Sequence, residues 1–396
     1  MQTATSKVEH LYVHVPFCAA KCNYCAFYSE AGSAAKMADY VDAVVKELNF
    51  FVGAASAPRL GQPGRDREVA PTIYDLQPST IFFGGGTPSL LPAPLMRRIL
   101  LSISPLLQHS LPAEWTIECN PSTVSTEKAK LFREFGVNRI SMGLQSLDDD
   151  LLARIGRVHT VRAALESYAK LRRAGFENIN LDLIFGLPGQ TMEHWRNTLR
   201  RVIELQPEHI STYCLILEED THFWSLLQEG SIRPDDELEL AMYETAIETL
   251  AAAGYRQYEV SNFARPGREC AHNIAYWEGK DYLGLGPSAC STIGNHRWQN
   301  LPDLDAYIGS LGAHVGSARR VPVAYEEPLT PELRAAERAA FGMRMNAGVP
   351  ADLVRGRWDK QIAELLSAEL VQWRNGCLAP TKRGILFADE VAAEFV

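Results

Sequence analysis

Short runs rich in β-branched and aromatic residues alternate with longer amphipathic segments along the first half of the chain. The short runs are LYVHV (11–15), TIFF (80–83), WTIEC (115–119), NRISMG (138–143), INLDLIFG (179–186) and HISTYCLI (209–216). Bounded by Gly, Pro or Asn, they predict strands. Between them, 36–51, 92–108, 126–135, 160–174 and 191–206 place apolar residues near every third and fourth position, which predicts helices. Strands and helices in this alternation imply an α/β fold with a parallel sheet. Right-handed crossovers would curl it into a partial (βα)6 barrel. One stretch breaks the pattern: GAASAPRLGQPGRDREVAP (53–71) has no periodicity and predicts a mobile insertion between the first helix and the second strand.

Further along, 235–253 predicts another helix and YRQYEVSNFA a further strand. A turn-rich stretch with several aromatic residues follows from 264 to about 300. From about 319 the texture changes to helices (331–345, 359–368), short strands at LVQW and CLAPT, and a last helix in ADEVAAEF. That pattern predicts a small C-terminal α+β domain of winged-helix type, not expected to touch DNA. The expected organisation is a barrel domain over 1–262, a connecting region over 263–318 and a helix-and-hairpin domain over 319–396.

Composition narrows the function classes. A chain of 396 residues suits one barrel-sized domain plus a smaller one. With 46% apolar and 22% charged residues it reads as an ordinary soluble globular protein. The net charge of -9, with no basic run, shows neither a nucleic-acid footprint nor a polybasic membrane anchor. No apolar stretch reaches membrane-span length, and MQTATSKVEH has no apolar signal core, so a cytoplasmic location is expected. Eight cysteines in so long a chain are not a disulfide framework. In a reducing compartment a tight cluster of them points to metal.

Such a cluster exists in CAAKCNYCAFYSE: Cys18, Cys22 and Cys25, spaced C-x3-C-x2-C. They follow the first strand directly, at the end where barrel enzymes place their active sites. Three thiolates are one short of a closed tetrahedral site, and structural zinc usually takes two separated pairs. Cys119 is remote in sequence, and His14 on the preceding strand need not face the same site. Zinc and plainly buried thiols remain the alternatives to an iron–sulfur cluster. In a 4Fe-4S cluster held by three cysteines, one iron would be left for a small molecule. Other strand ends carry groups suited to such a ligand. Gly84, Gly85 and Gly86 let backbone approach closely. Glu118, Gln145, Arg157 and Asp182 are polar residues near strand ends; acceptors suit ribose hydroxyls, and a guanidinium suits a carboxylate. Each alone reads equally as a cap or surface charge.

The cysteine spacing resembles the signature of the radical S-adenosylmethionine (SAM) superfamily. LYVHVPFCAAKCNYCAF, FFGGGTPSLL, IECNP, SMGLQSLDDDLLARIGRVH and LDLIFGLPGQT resemble, in order, its oxygen-independent coproporphyrinogen III oxidase group. The resemblance covers nearly the whole chain apart from 53–71. It implies a partial barrel, a 4Fe-4S cluster on Cys18, Cys22 and Cys25, and SAM chelating the open iron. Carried over by motif, the SAM contacts are Tyr12, Tyr24, Gly85, Gly86, Thr87, Glu118, Gln145, Arg157 and Asp182, with Ile216 as a candidate against the adenine. The oxidases themselves carry a cysteine two positions after the third ligand and a longer N-terminal arm. Here that position is Phe27, and C-x3-C-x2-C-x-F resembles the heme-chaperone branch.

A second motif agrees with that branch. His272, Asn273, Tyr276 and Trp277 form HNxxYW. Imidazole is an axial ligand of heme iron, and aromatic faces pack on porphyrin. Cys270 is a further candidate iron ligand. The alternative reading is a structural histidine and a buried thiol in an aromatic core. The resemblance therefore implies a chaperone that binds heme and passes it to an acceptor protein, with an electron donor for the cluster. The competing expectations are a coproporphyrinogen III dehydrogenase and a radical SAM enzyme acting on another small molecule.

Overall fold

The computed structural model describes residues 7–52, 74–108, 110–312 and 322–396; the insertion expected at 53–71 lies outside them. The chain runs β1 (Lys7–Val15), α1 (Ala34–Val52), β2 (Asp75–Gly85), α2 (Ala93–Ile103), β3 (Glu114–Cys119), α3 (Thr126–Glu134) and β4 (Arg139–Gln145). It continues through α4 (Asp149–Arg154), α5 (Val161–Arg173), β5 (Ile179–Phe185), α6 (Met192–Glu204) and β6 (His209–Cys214). Next come α7 (His222–Gln228), α8 (Asp236–Ala252), β7 (Arg256–Gln257), β8 (Asn262–Ala264), α9 (Ala271–Trp277) and β9 (Leu283–Leu285). Contacts divide the chain into two compact units, neither continuous in sequence: Met1–Ser141 with Gly156–Glu177 and Asp281–Pro328, and Met142–Ile155 with Asn178–Lys280 and Leu329–Val396.

In the first unit β2 pairs in parallel with both β1 and β3, and β9 pairs in parallel with the other edge of β1. Pairing with β1 places 281–328 with the start of the chain. Alternation along β1 sends Leu11, Val13 and Val15 to one face, each wholly buried, and Tyr12 and His14 to the other. Helix α1 presents Tyr40, Val41, Val44, Leu48 and Phe51 inward at helical spacing. Helices α3 and α5 are capped by Ser125 and Thr160, whose hydroxyls accept from the Lys128 and Ala163 amides.

In the second unit β5 and β6 are parallel, and β8 then β7 add antiparallel strands beside β6. Helix α6 starts with a reciprocal cap between Thr191 and His194. Residues 339–395 contain their own buried cluster, including Met343, Val349, Ile362, Leu378, Val391 and Phe395. The hairpin there turns through Asn375 and Gly376, both at positive φ (52° and 79°), between Val371–Arg374 and Cys377–Pro380. A two-residue Asn-Gly loop is the turn that matches strand twist.

Departures from the sequence pattern have local causes. Pro105 lacks an amide donor, so α2 ends at Ile103 and a 3-10 turn covers Ser104–Leu107. YRQYEVSNFA is not one strand: it reverses between β7 and β8, closed by the Tyr258 amide on the Asn262 carbonyl at 3.1 Å. The turn-rich stretch holds α9 and an antiparallel sheet of Cys290–Ile293, His296–Asn300 and Val323–Pro328. The short helices α4 and α7, capped by Asp148 and Thr221, have too few turns to show a period.

Glu47 on α1 is wholly buried in the first unit. Its carboxylate accepts from Tyr307 Oη at 2.5 Å, the Gly286 amide at 2.8 Å and Asn300 Nδ2 at 2.7 Å. The first helix is joined there to a region 239 to 260 residues further along the chain. Burial raises its pKa from 4.5 to about 7, against the lowering effect of the three donors. Because the folded protein holds this proton more tightly than the unfolded chain, the contribution is full below pH 4.5 and is lost as pH rises towards 7. Glu47→Ala should lower the unfolding free energy by roughly 3 kcal/mol or more, since each buried donor left unpaired costs about 1–3 kcal/mol. Urea unfolding of wild type and Glu47→Gln across this pH range checks the sign: the wild type should lose about 3 kcal/mol relative to the variant.

Candidate functional site

The cysteine loop is secured at its base before any thiol is considered. Phe17, fully buried, bridges in parallel to Glu30, with Cys18 N donating to Glu30 O at 3.1 Å and Glu30 N to Pro16 O at 2.7 Å. The end of β2 docks on the same segment: Gly86 N donates to Val15 O at 2.8 Å and Thr87 N to Phe17 O at 2.7 Å. A Cβ on Gly86 would sit 2.8 Å from the Phe17 carbonyl oxygen, and one on Gly85 (φ +103°) would meet the His14 ring at 2.6 Å. The glycine triplet thus serves a close approach, as its sequence suggests, with the cysteine loop and β1 as the approached surfaces.

On that base the loop gathers the expected residues of the first unit. Cys18 Sγ lies 3.6 Å from Thr87 Oγ1, and Cys25 N closes a turn on Cys22 O at 3.2 Å. Arg157 Nη1 donates to Cys22 Sγ at 3.6 Å. The preceding Gly156 (φ +76°) would place a Cβ 3.1 Å from Asn23 Oδ1. All three thiols are free and half-buried. Burial, and then the neighbouring Cys22 and Cys18 thiols, hold Cys25 above its ordinary pKa. A cationic metal core among them would reverse that effect. Tyr24 is raised by burial and hydrogen-bonds Cys22. Among the described residues no three His, Cys, Asp or Glu side chains converge as a single-ion site.

His14 is a brace. Its Nε2 lies 3.0 Å from Tyr28 O, so this nitrogen carries the proton, and Nδ1 accepts from Tyr12 Oη at 3.1 Å. Burial lowers its pKa, which keeps the ring neutral. With both nitrogens engaged it adds no fourth ligand. Tyr12 stacks on Phe82, and its phenol is held protonated by burial and the nearby Glu118 charge. Glu118 Oε2 stands 3.2 Å from where a Gly84 Cβ would be. Cys119 points away, its Sγ donating to Ile117 O at 3.8 Å, and burial pushes its pKa to about 12.

The second unit holds the other candidates. Gln145 ends β4 at φ 66°, a left-handed conformation that a non-glycine residue adopts at a cost, and its Oε1 is buried without a hydrogen-bond partner among the described residues. Strain and an unsatisfied acceptor at one residue fit a ligand-contacting role. Asp182 on β5 accepts from Asn180 Nδ2 at 2.7 Å. Asn180 was not singled out from sequence, although its i−2 position on the same strand face was the available signal. Ile216, past β6, is 66% exposed. The HNxxYW motif forms α9. There His272 is buried edge-on against Tyr276 at 5.2 Å, while Trp277 packs on Phe341 and under the Arg344 guanidinium. Cys270 is also wholly buried. In this conformation neither iron-ligand candidate is presented to solvent.

Cys18→Ser, Cys22→Ser and Cys25→Ser should each abolish bound iron and sulfide in anaerobically reconstituted protein, since a hydroxyl is a poor substitute for a soft thiolate. Cys119→Ser, Cys214→Ser and Cys377→Ser should retain both. Iron and acid-labile sulfide analysis of the six variants decides it.

Comparison with known proteins agrees with this geometry. The Radical SAM superfamily model matches residues 12–202. Heme chaperone HemW of Bacillus subtilis (strain 168) is 34% identical over 98% of this chain and 99% of its own length. Heme chaperone HemW of Escherichia coli (strain K12) is 39% identical over 70% of this chain and 68% of its own. The Bos taurus protein called Radical S-adenosyl methionine domain-containing protein 1, mitochondrial, is 36% identical over 86% and 74%. Among solved structures, coproporphyrinogen III oxidase (HemN) from Escherichia coli aligns with a TM-score of 0.80 over 99% of this chain and 90% of that one, at 24% identity. That likeness carries the fold. Relatedness along almost the entire length, on a scaffold that ends its first strand in three gathered thiols, means that the chain belongs to the HemW family of the radical SAM superfamily.

Proposed function

We propose that this chain is a heme chaperone, binding heme and transferring it to an acceptor protein on a scaffold that also holds a 4Fe-4S cluster and SAM. The observation that carries the reading is the 34% identity to a heme chaperone over 98% of the chain. The loop supports it locally: Phe27, 71% exposed, stands where the resembling oxidases have a cysteine. Cys18, Cys22 and Cys25 would hold three irons. A cluster bound there supplies a redox centre with one iron open to a small chelating ligand. Of the chain's own groups, Arg157 sets positive charge beside Cys22, and the amides of Gly86 and Thr87 hold the loop edge. Tyr12, Tyr24 and Glu118 are among the SAM contacts that the resemblance implies. Gln145, Asp182 and Ile216 are further ones.

Heme would bind through the α9 motif, with Asn273, Tyr276 and Trp277 half-buried there. His272, 2% exposed, becomes an axial ligand only if α9 shifts to present it. Acceptor proteins and an electron donor are the partners this reading requires. No helix among the described residues is long and apolar enough to cross a membrane. The oxidase reading is favoured by the shared fold with HemN alone.

Reconstituted wild type should take up heme and release no carbon dioxide from coproporphyrinogen III under anaerobic, reducing conditions; decarboxylation would restore the oxidase. His272→Ala should weaken heme binding or change the heme spectrum while leaving iron and sulfide content intact. Arg157→Ala and Asp182→Ala should each weaken SAM binding by roughly 1–3 kcal/mol without loss of the cluster, measured by calorimetry. Unchanged affinity in both would remove them from the SAM contacts.

A further inference from the structure

Within the second unit, a continuous line of hydrogen bonds runs from Asp182 on β5 to the residue that precedes α9. Asn180 Nδ2 donates to Asp182 Oδ1 at 2.7 Å. Because the amide nitrogen faces a carboxylate, Asn180 Oδ1 must face donors. It meets His209 Nδ1 at 2.6 Å and Ser211 Oγ at 3.1 Å. His209 therefore carries its proton on Nδ1, and in the neutral ring Nε2 is an acceptor. Tyr258 Oη lies 2.8 Å from that nitrogen and donates to it. The phenol oxygen in turn accepts from the Cys270 amide at 3.2 Å. Every bond points the same way, so a single assignment of protons satisfies the whole line.

The line is also well placed to transmit a shift. His209 is wholly buried and Asn180 is 2% exposed, so water does not replace a broken link easily. The Tyr258 ring sits edge-on to His209, with centroids 5.6 Å apart, and its carbonyl accepts from the Asn346 amide at 3.0 Å. Cys270 is the N-cap position of α9 but has no side-chain cap, so its amide bond to Tyr258 is a side-chain anchor at the start of the HNxxYW helix.

We propose that His209 and Tyr258 are positioning residues that tie the rotation of the Asp182 carboxylate to the start of α9, so that SAM at Asp182 and the heme motif influence each other. This rests on the assignment of Asp182 to SAM made above. When ligand engages Asp182, the carboxylate fixes Asn180, Asn180 fixes the His209 ring, and Tyr258 then holds the Cys270 amide. Coupling of this kind is reciprocal, so heme at α9 would alter SAM affinity by the same factor.

The test is hydrogen–deuterium exchange on anaerobically reconstituted full-length protein with and without SAM, with binding verified by calorimetry on the same sample. SAM should slow exchange across 270–277 by roughly five-fold or more in the wild type. In Tyr258→Phe, which keeps the ring and removes the hydroxyl, SAM should still bind but the slowing should vanish. A merely structural role would raise exchange in the variant by the same factor with and without SAM, leaving the SAM-dependent slowing in place, and that result overturns the proposal. Bound SAM with unchanged exchange at 270–277 in the wild type overturns it without any variant. Failure of wild type to bind SAM overturns the site assignment and this inference together.

Discussion

The cysteine loop depends on one close approach of backbone to backbone. Two amides at the end of β2, those of Gly86 and Thr87, donate to Val15 and Phe17, the residues leading into Cys18. No side chain fits between them, since a Cβ on Gly86 would fall 2.8 Å from the Phe17 oxygen. Thiols spaced along a loop are otherwise free to sample many positions, and ordering each residue costs about 1–2 kcal/mol of backbone entropy. Docking on β2 prepays that cost before metal arrives, so the loop is held by the fold and does not wait for a ligand to shape it.

Strand β1 carries the same order outward. One face buries Leu11, Val13 and Val15, while the other presents Tyr12 and His14, joined to each other and to the Tyr28 carbonyl. The Tyr40 hydroxyl on α1 donates to the His14 carbonyl, and the Leu304 amide donates to the Tyr28 hydroxyl. Late residues thereby brace the earliest loop. Glu47 repeats the device, reaching Gly286, Asn300 and Tyr307 from α1. Buried polar groups of this kind specify one arrangement because each leaves a costly orphan if its partner moves.

The HNxxYW motif is built differently from the cysteine loop. Its histidine and the preceding cysteine are interior, and Trp277 is held between Phe341 and Arg344. A helix of two turns has little stability of its own, so its packing partners set how readily it opens.

Much of this was readable from residue order alone. Period-two and near-3.6 patterns marked the six principal strands and five helices, because apolar burial imposes those periods directly. The three cysteines were legible because ligand spacing within one loop is local. What order could not supply were relations between remote residues and the irregular parts. Short α4, α7 and α9 carry too few turns to show a period, and the strand-like mixture of aromatic and polar residues in YRQYEVSNFA hid the reversal between β7 and β8. The use of His14 as a brace, the contact of Arg157 with Cys22, and the pairing of Asn180 with Asp182 and His209 depend on which strands come side by side. Side-chain chemistry is written in the sequence, but its partners are chosen by tertiary packing, since a hydrogen bond reaches about 3 Å whatever the separation along the chain.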